Sequence, residues 1–225
     1  MKAIIQFLFS KFGFKVTRTN STRGLWDARP EFLGLYENIR ENTLVKIDRC
    51  FMIYQLALLT KKLPGAVAEL GVYKGGTAKL IAELFKDTSR LIYLFDTFSG
   101  LPGAEFQDSS DDRAVFKDIG ISYVKKYLES YPNIIFKPGV FPNTTKGLEQ
   151  ESFCFVYLDG DLYESTRDGL EFFYSRLVSG GMIVIDDYGS RYWPGVKKAV
   201  DEFSEKSGVA TIITANVQCA LFKIF

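Results

Sequence analysis

Two apolar runs in this chain each finish in carboxylates, with one amphipathic segment between them. Residues 153–158 lead into Asp159 and Asp161, and residues 182–185 lead into Asp186 and Asp187. Short runs of apolar, aromatic and β-branched residues that end in turn residues predict strands covered on both faces. The segment STRDGLEFFYSRLVSGG between them predicts a helix, capped by Ser165 or Thr166 and stopped at Gly180–Gly181. Strand, helix and strand make one right-handed crossover, so both acid pairs reach the carboxyl edge of a parallel sheet, where open α/β folds bind ligands. Four carboxylates at one edge repel each other. A hard divalent cation with oxygen ligands neutralises them, and Mg²⁺ uses few carboxylates while keeping water. The plainer reading is that the acids are helix caps and solvated turn residues.

Composition narrows the chemistry further. There is no histidine, which excludes Ser-His-Asp and Cys-His catalysis and any imidazole ligand or base. A proton acceptor must then be Asp, Glu, Lys or Tyr. Lys+Arg is 28 against 27 for Asp+Glu, so no global basic footprint for nucleic acid exists. Cys50, Cys154 and Cys219 are scattered, two of them in apolar runs. They read as buried thiols in a reducing, cytoplasmic setting rather than as a disulfide framework or zinc site.

Taken from its start, the chain opens with an apolar run mixed with Lys2, Lys11, Lys15 and Arg18. The run is far shorter than the roughly 20 residues of a membrane span. A basic amphipathic helix touching a membrane surface, a sister subunit or its own domain are the readings open there. Residues 46–62 predict a helix stopped by Pro64–Gly65, and residues 66–70 a short buried strand. Gly71, Gly75 and Gly76 then form a turn, with Thr77 placed to cap a helix over 78–85. Strand, glycine turn and helix N-terminus make a pocket of backbone N–H groups. Tyr73 stands where the dinucleotide fingerprint has its middle glycine, and no Gly-Lys-Ser/Thr follows. A second strand ends in Asp96, where a ribose hydroxyl pair is held in such folds. Glycine turn plus acid points to a nucleoside-bearing cofactor, and the missing glycine points to one without a diphosphate. Asp108, Asp111 and Asp112 form an acidic loop. A helix over 119–128 and a strand over 133–137 follow, and the turn from Pro138 lies beside the glycine loop. A helix over 196–204, with Pro194 in its first turn, precedes two strands paired about a turn at 215–216.

In this order AELGVYKGGTA, LFDTFSGLP, KPGVFPNTT, LDGDLYEST, IDDY and GVKKAVDEF resemble the macrocin O-methyltransferase family, which methylates sugar hydroxyls of macrolide and aminocoumarin antibiotics. NTLVKIDRCFMIYQLA is similar too, so the resemblance covers residues 30–205. It implies a Rossmann-like class I methyltransferase fold: a mostly parallel seven-stranded sheet with its last strand antiparallel, flanked by helices. Residues 1–45 would be an N-terminal arm and lid, and 46–225 the S-adenosylmethionine-dependent domain. The resemblance assigns Glu69, Gly71, Val72, Tyr73, Gly75, Gly76 and Thr77 to the loop around the methionine moiety. It assigns Asp96, Thr97 and Phe98 to the ribose, Gly139, Val140 and Phe141 to the adenine side, and Asp159 to the cofactor's edge. Asp159, Asp186 and Asp187 match the metal-binding acids, and Asp161 matches the proposed general base. The arm and the 105–125 loop match nothing in the family, so the acceptor's identity is not carried over.

These residues imply transfer of a methyl group from S-adenosylmethionine to a hydroxyl of a sugar or glycosylated small molecule, helped by Mg²⁺, in a homo-oligomeric enzyme. A metal-dependent enzyme acting on catechols or other phenols is the nearest alternative. A nucleoside-binding protein of the same fold without turnover is another, and a nicotinamide dehydrogenase a weaker third.

Overall fold

In the computed structural model, residues 24–101 and 120–224 are described. The basic N-terminal run and the loop with Asp108, Asp111 and Asp112 lie outside them. Seven strands form one sheet: β1 (Ala66–Leu70), β2 (Ile92–Asp96), β3 (Ile134–Pro138), β4 (Phe153–Leu158), β5 (Leu177–Ile185), β6 (Ile212–Ala215) and β7 (Gln218–Phe222). Their order is β3-β2-β1-β4-β5-β7-β6. The first five are mutually parallel, and β7 runs antiparallel to both β5 and β6. The expected doubly wound architecture with an antiparallel last strand is thus the observed one.

Helices cover both faces. α1 (Pro30–Glu37), α2 (Ile47–Thr60), α3 (Gly76–Phe85) and α4 (Ile121–Tyr127) contribute to one apolar core, while α5 (Tyr163–Arg176) and α6 (Pro194–Ser207) contribute to the other. Strand side chains alternate between them, as a period of two requires. Val67 and Tyr157 join the first core, and Ala68, Val156 and Leu158 the second. The arm's described part belongs to the first core, with Phe32 packing edge-on against Phe51 of α2 at 5.0 Å. In the second core Phe173 of α5 meets Phe153 at 5.1 Å and Phe95 at 5.7 Å, which clamps α5 to β2 and β4. Truncating such a side chain typically costs about 3–5 kcal/mol.

Helix ends depart from the sequence expectations. α3 starts at Gly76, with Gly75 at φ 84 as N-cap, because the Thr77 hydroxyl donates to Glu69 instead of capping. α5 begins at Tyr163, before Ser165, and the Thr166 hydroxyl bonds back to the Leu162 carbonyl at 2.9 Å. It ends at Arg176, and Gly180–Gly181 lie inside β5, not at a helix stop. There the Gly180 N–H donates to the Lys223 carbonyl at 2.7 Å, and Lys223 returns a bond to Gly181 at 2.9 Å. Cys50, Cys154 and Cys219 are buried and free, as the sequence predicted. Among the described residues no helix is long and apolar enough to cross a membrane.

Candidate active site

The carboxyl ends of β1, β2, β4 and β5 open into one cavity of about 490 Å³. That is within the usual range for a small-molecule site. Its floor depends on Gly71, at φ 89, where the chain leaves β1. A Cβ there would lie 2.0 Å from the Asp159 carbonyl oxygen, so no side chain fits between the β1 and β4 ends. Asp96 pins the glycine turn from the neighbouring strand. One of its oxygens accepts the N–H groups of Val72 at 2.7 Å and Tyr73 at 3.1 Å; the other accepts that of Phe98 at 2.7 Å. A carboxylate offers about four lone-pair sites, so one remains for a ligand hydroxyl. Tyr73 and Phe98 sit at φ 50 and 53, a left-handed conformation that costs energy outside glycine and gathers at functional sites.

Most residues expected at the cofactor line this cavity: Gly71, Val72, Tyr73, Thr77, Asp96, Thr97 and Phe98 on the β1–β2 side, with Gly139, Phe141 and Asp159 beyond them. Glu69, Gly75, Gly76 and Val140 do not. Glu69 is fully buried beneath the turn and receives the Thr77 hydroxyl at 2.5 Å, so it braces β1 against α3. Gly76 is the place where the arm crosses α3, since a Cβ would meet the Asn42 carbonyl oxygen at 2.6 Å.

At the other end of the cavity, carboxylate oxygens of Asp159, Asp161 and Asp187 come within 4.8 Å of one another. Asp161 and Asp187 also take left-handed backbone, φ 60 and 56, which aims two strand-end acids at one point. Asp186, expected with them as a ligand, stands behind. Its side chain is solvent-inaccessible, and it accepts Arg49 Nη1 at 2.7 Å and the Asp187 N–H at 3.0 Å on one oxygen. Tyr157 donates to the other oxygen at 2.6 Å, its hydroxyl also lying 3.3 Å from Asp159.

Burial, reinforced by the charge on Asp186, holds the Asp159 carboxyl well above the usual range. Burial and the Asp187 charge do the same to Asp161. Asp187 itself is pushed up to about 6 by burial and Asp186, against the pull of Arg49. Burial works against the Arg49 charge, but the adjoining Asp186 more than offsets it and raises its pKa. One guanidinium among four acids leaves a surplus of acids, with oxygen donors only. That donor set and that surplus fit a hard divalent cation.

Several lining residues lay outside the sequence expectations. Residues 42–45 form one wall, and Ser190, Tyr192 and Trp193, after β5, form another. Asn42 is held by the Tyr123 hydroxyl at 2.5 Å. Arg49 could have been found: it shares a helical stripe with Ile53, Leu56 and Thr60, all buried, and a charge on an apolar stripe signals a buried partner.

Comparison with known proteins agrees with this geometry. A family model described as macrocin O-methyltransferase (TylF) matches residues 41–223. The 8-demethyl-8-(2,3-dimethoxy-alpha-L-rhamnosyl)-tetracenomycin-C 4'-O-methyltransferase of Streptomyces olivaceus is 28% identical over 204 residues, which are 84% of this chain and 77% of that one. The demethyldecarbamoylnovobiocin O-methyltransferase of Streptomyces niveus is 28% identical over 185 residues, covering 75% and 70%. Among solved structures, the O-methyltransferase NovP superposes with a TM-score of 0.69 at 26% identity, covering 82% of this chain and 83% of that one. With the strand order, the glycine turn and the strand-end acids all in place, the chain belongs to the macrocin O-methyltransferase family and is an O-methyltransferase on the class I S-adenosylmethionine-dependent fold.

Proposed function

We propose that this enzyme transfers the methyl group of S-adenosylmethionine to a hydroxyl of a sugar or glycosylated small molecule, with Mg²⁺ at the acid cluster. One observation carries the reading: a nucleoside-sized cavity pinned by Asp96 runs directly into three converging carboxylates. The Streptomyces olivaceus relative, named for its action on a rhamnosylated tetracenomycin, supports a glycoside acceptor. The arm is proposed as a lid, because residues 42–45 already stand in the cavity wall. Exposed Leu44 and Tyr192 would meet the acceptor's apolar face at the mouth. Buried free thiols suit a cytoplasmic setting, and homo-oligomeric assembly, as in the family, is part of the proposal.

In this reading Asp96 and the turn from Gly71 to Tyr73 seat the cofactor, and Asp159 and Asp187 hold the cation. Mg²⁺ would lower the pKa of the acceptor hydroxyl and fix its direction. The hydroxyl oxygen forms a bond to the methyl carbon as the carbon–sulfur bond breaks, and that electron pair stays on sulfur. Asp161 takes the hydroxyl proton. It needs the ionised form to do so, which a cation beside Asp159 and Asp187 favours. An alcohol, with a pKa near that of water at about 15.7, needs such a base more than a phenol near 10 does.

Asp161→Asn is expected to lower kcat by about 10²- to 10⁴-fold with the S-adenosylmethionine dissociation constant unchanged. An unchanged kcat would remove Asp161 from the mechanism. A chelator should abolish turnover and Mg²⁺ restore it. Methyl transfer to a panel of glycosides and nucleotide sugars, set against catechols, tests the acceptor class; activity on the catechols alone would overturn it.

A further inference from the structure

Arg49 reaches the acid cluster from α2, on a part of the chain remote from every strand-end motif. Its side chain is 13% exposed, and it ion-pairs with Asp186 at 2.7 Å while its Nη1 lies 3.4 Å from Asp187. The Asp187 amide and the Tyr157 hydroxyl take two further directions on Asp186. Each oxygen of Asp186 is thereby engaged, and its side chain is closed to solvent. Asp187 follows at once, on a left-handed backbone whose N–H is tied to that same carboxylate. The same Tyr157 hydroxyl lies 3.3 Å from Asp159, so it sets the two carboxylates side by side. Asp187 is therefore one hydrogen bond away from an anchor that Arg49 holds, and Asp159 is reached through the Tyr157 hydroxyl.

We propose that Arg49 is a positioning residue of the carboxylate cluster: by fixing Asp186, it sets the direction in which Asp187 faces the cavity and, through Tyr157, that of Asp159. This rests on the reading that the cluster holds a divalent cation beside the acceptor. Residues behind metal-binding side chains tune affinity by orienting them, and their loss typically weakens metal binding about 10- to 100-fold. The guanidinium suits the task because its planar fork keeps its charge when buried.

The test uses the full chain without cofactor or acceptor, with Mn²⁺ as the probe, followed by water-proton relaxation. Arg49→Met is expected to bind Mn²⁺ about 10–100-fold more weakly, and Arg49→Lys to recover part of the loss. Unchanged binding would overturn the proposal. So would tighter binding, which would make the guanidinium a competitor for the cation's place. S-adenosylhomocysteine titration reads the fold, and its dissociation constant should stay at the wild-type value in both variants. The double variant Arg49→Met/Asp186→Asn removes both buried charges. It should regain melting temperature without regaining Mn²⁺ affinity; recovery of both would reduce Arg49 to charge neutralisation. Should the wild-type enzyme bind no Mn²⁺, the metal reading fails, and kcat then decides for Arg49. Arg49→Met should still lower kcat at unchanged KM for S-adenosylmethionine, and a wild-type kcat overturns the positioning role.

Discussion

Glu69 is a carboxylic acid with no route to water. It is 0% exposed; one oxygen receives Thr77, and the other has no partner among the described residues. Burial above all, with a smaller push from Asp96, raises its pKa from 4.5 to about 8, against the Thr77 hydrogen bond. The native state therefore keeps a proton that the unfolded chain releases near 4.5. Stability from this group is complete below that pH, declines as pH rises, and is gone above about 8. Glu69→Gln supplies a neutral side chain of the same shape. Its melting temperature should match wild type near pH 5 and exceed it near pH 8.5, by an effect on the order of a few kcal/mol. Parallel pH profiles for the two proteins would mean that Glu69 is ionised in the fold. Sequence alone places this acid at a strand end like Asp96, yet only the alternation of side chains decides which of the two meets the cavity. Glu69 falls on the face that α3 covers, whereas Asp96 ends its strand at the open edge.

The strands were legible element by element, because a parallel strand buried on both faces leaves an apolar run that few other structures produce. β1 and β4 have the residues expected of them, and the acids after β2, β4 and β5 stand at the sheet edge as predicted. The helix ends were less legible. Thr77 and Thr166 have cap-forming side chains, but a buried carboxylate and a carbonyl four residues back claim their hydroxyls. The arm's place over α3 was not legible at all, since it rests on a close approach between distant segments. Gly76 records that approach: a Cβ would meet the Asn42 carbonyl oxygen at 2.6 Å and Thr43 Cβ at 2.7 Å. Gly76→Ala should push residues 42–45 off the cavity wall. The expected result is a several-fold higher KM for acceptor with cofactor affinity largely kept, read by initial rates and cofactor titration side by side. Gly71→Ala differs in kind. Its φ of 89 and a 2.0 Å clash with Asp159 should cost cofactor binding and the fold together. An unchanged acceptor KM in Gly76→Ala would take residues 42–45 out of the acceptor wall.

Over the whole molecule, one edge of one sheet carries the chemistry. Among the described residues two apolar cores and six α-helices hold the strand ends in register, but the cavity is walled by turns with left-handed residues and by a stretch of arm. Local sequence patterns cannot rank seven strands across a sheet. The order becomes readable only through the motif series, which ties each turn to a neighbour around a single ligand. A ligand that binds this edge only when the strands are assembled should stabilise the entire domain. S-adenosylhomocysteine at about 100 times its dissociation constant should add about 2.7 kcal/mol. For a chain of this size that raises Tm by roughly 5–10 °C. Asp96→Ala strips three backbone N–H groups of their acceptor and removes the oxygen left for a ligand hydroxyl. Its Tm should fall without ligand, and the S-adenosylhomocysteine shift should shrink toward zero at the same concentration. A full shift in that variant would place the nucleoside elsewhere than the cavity between β1 and β2. The unliganded fall alone would mark Asp96 as a brace for the glycine turn and nothing more.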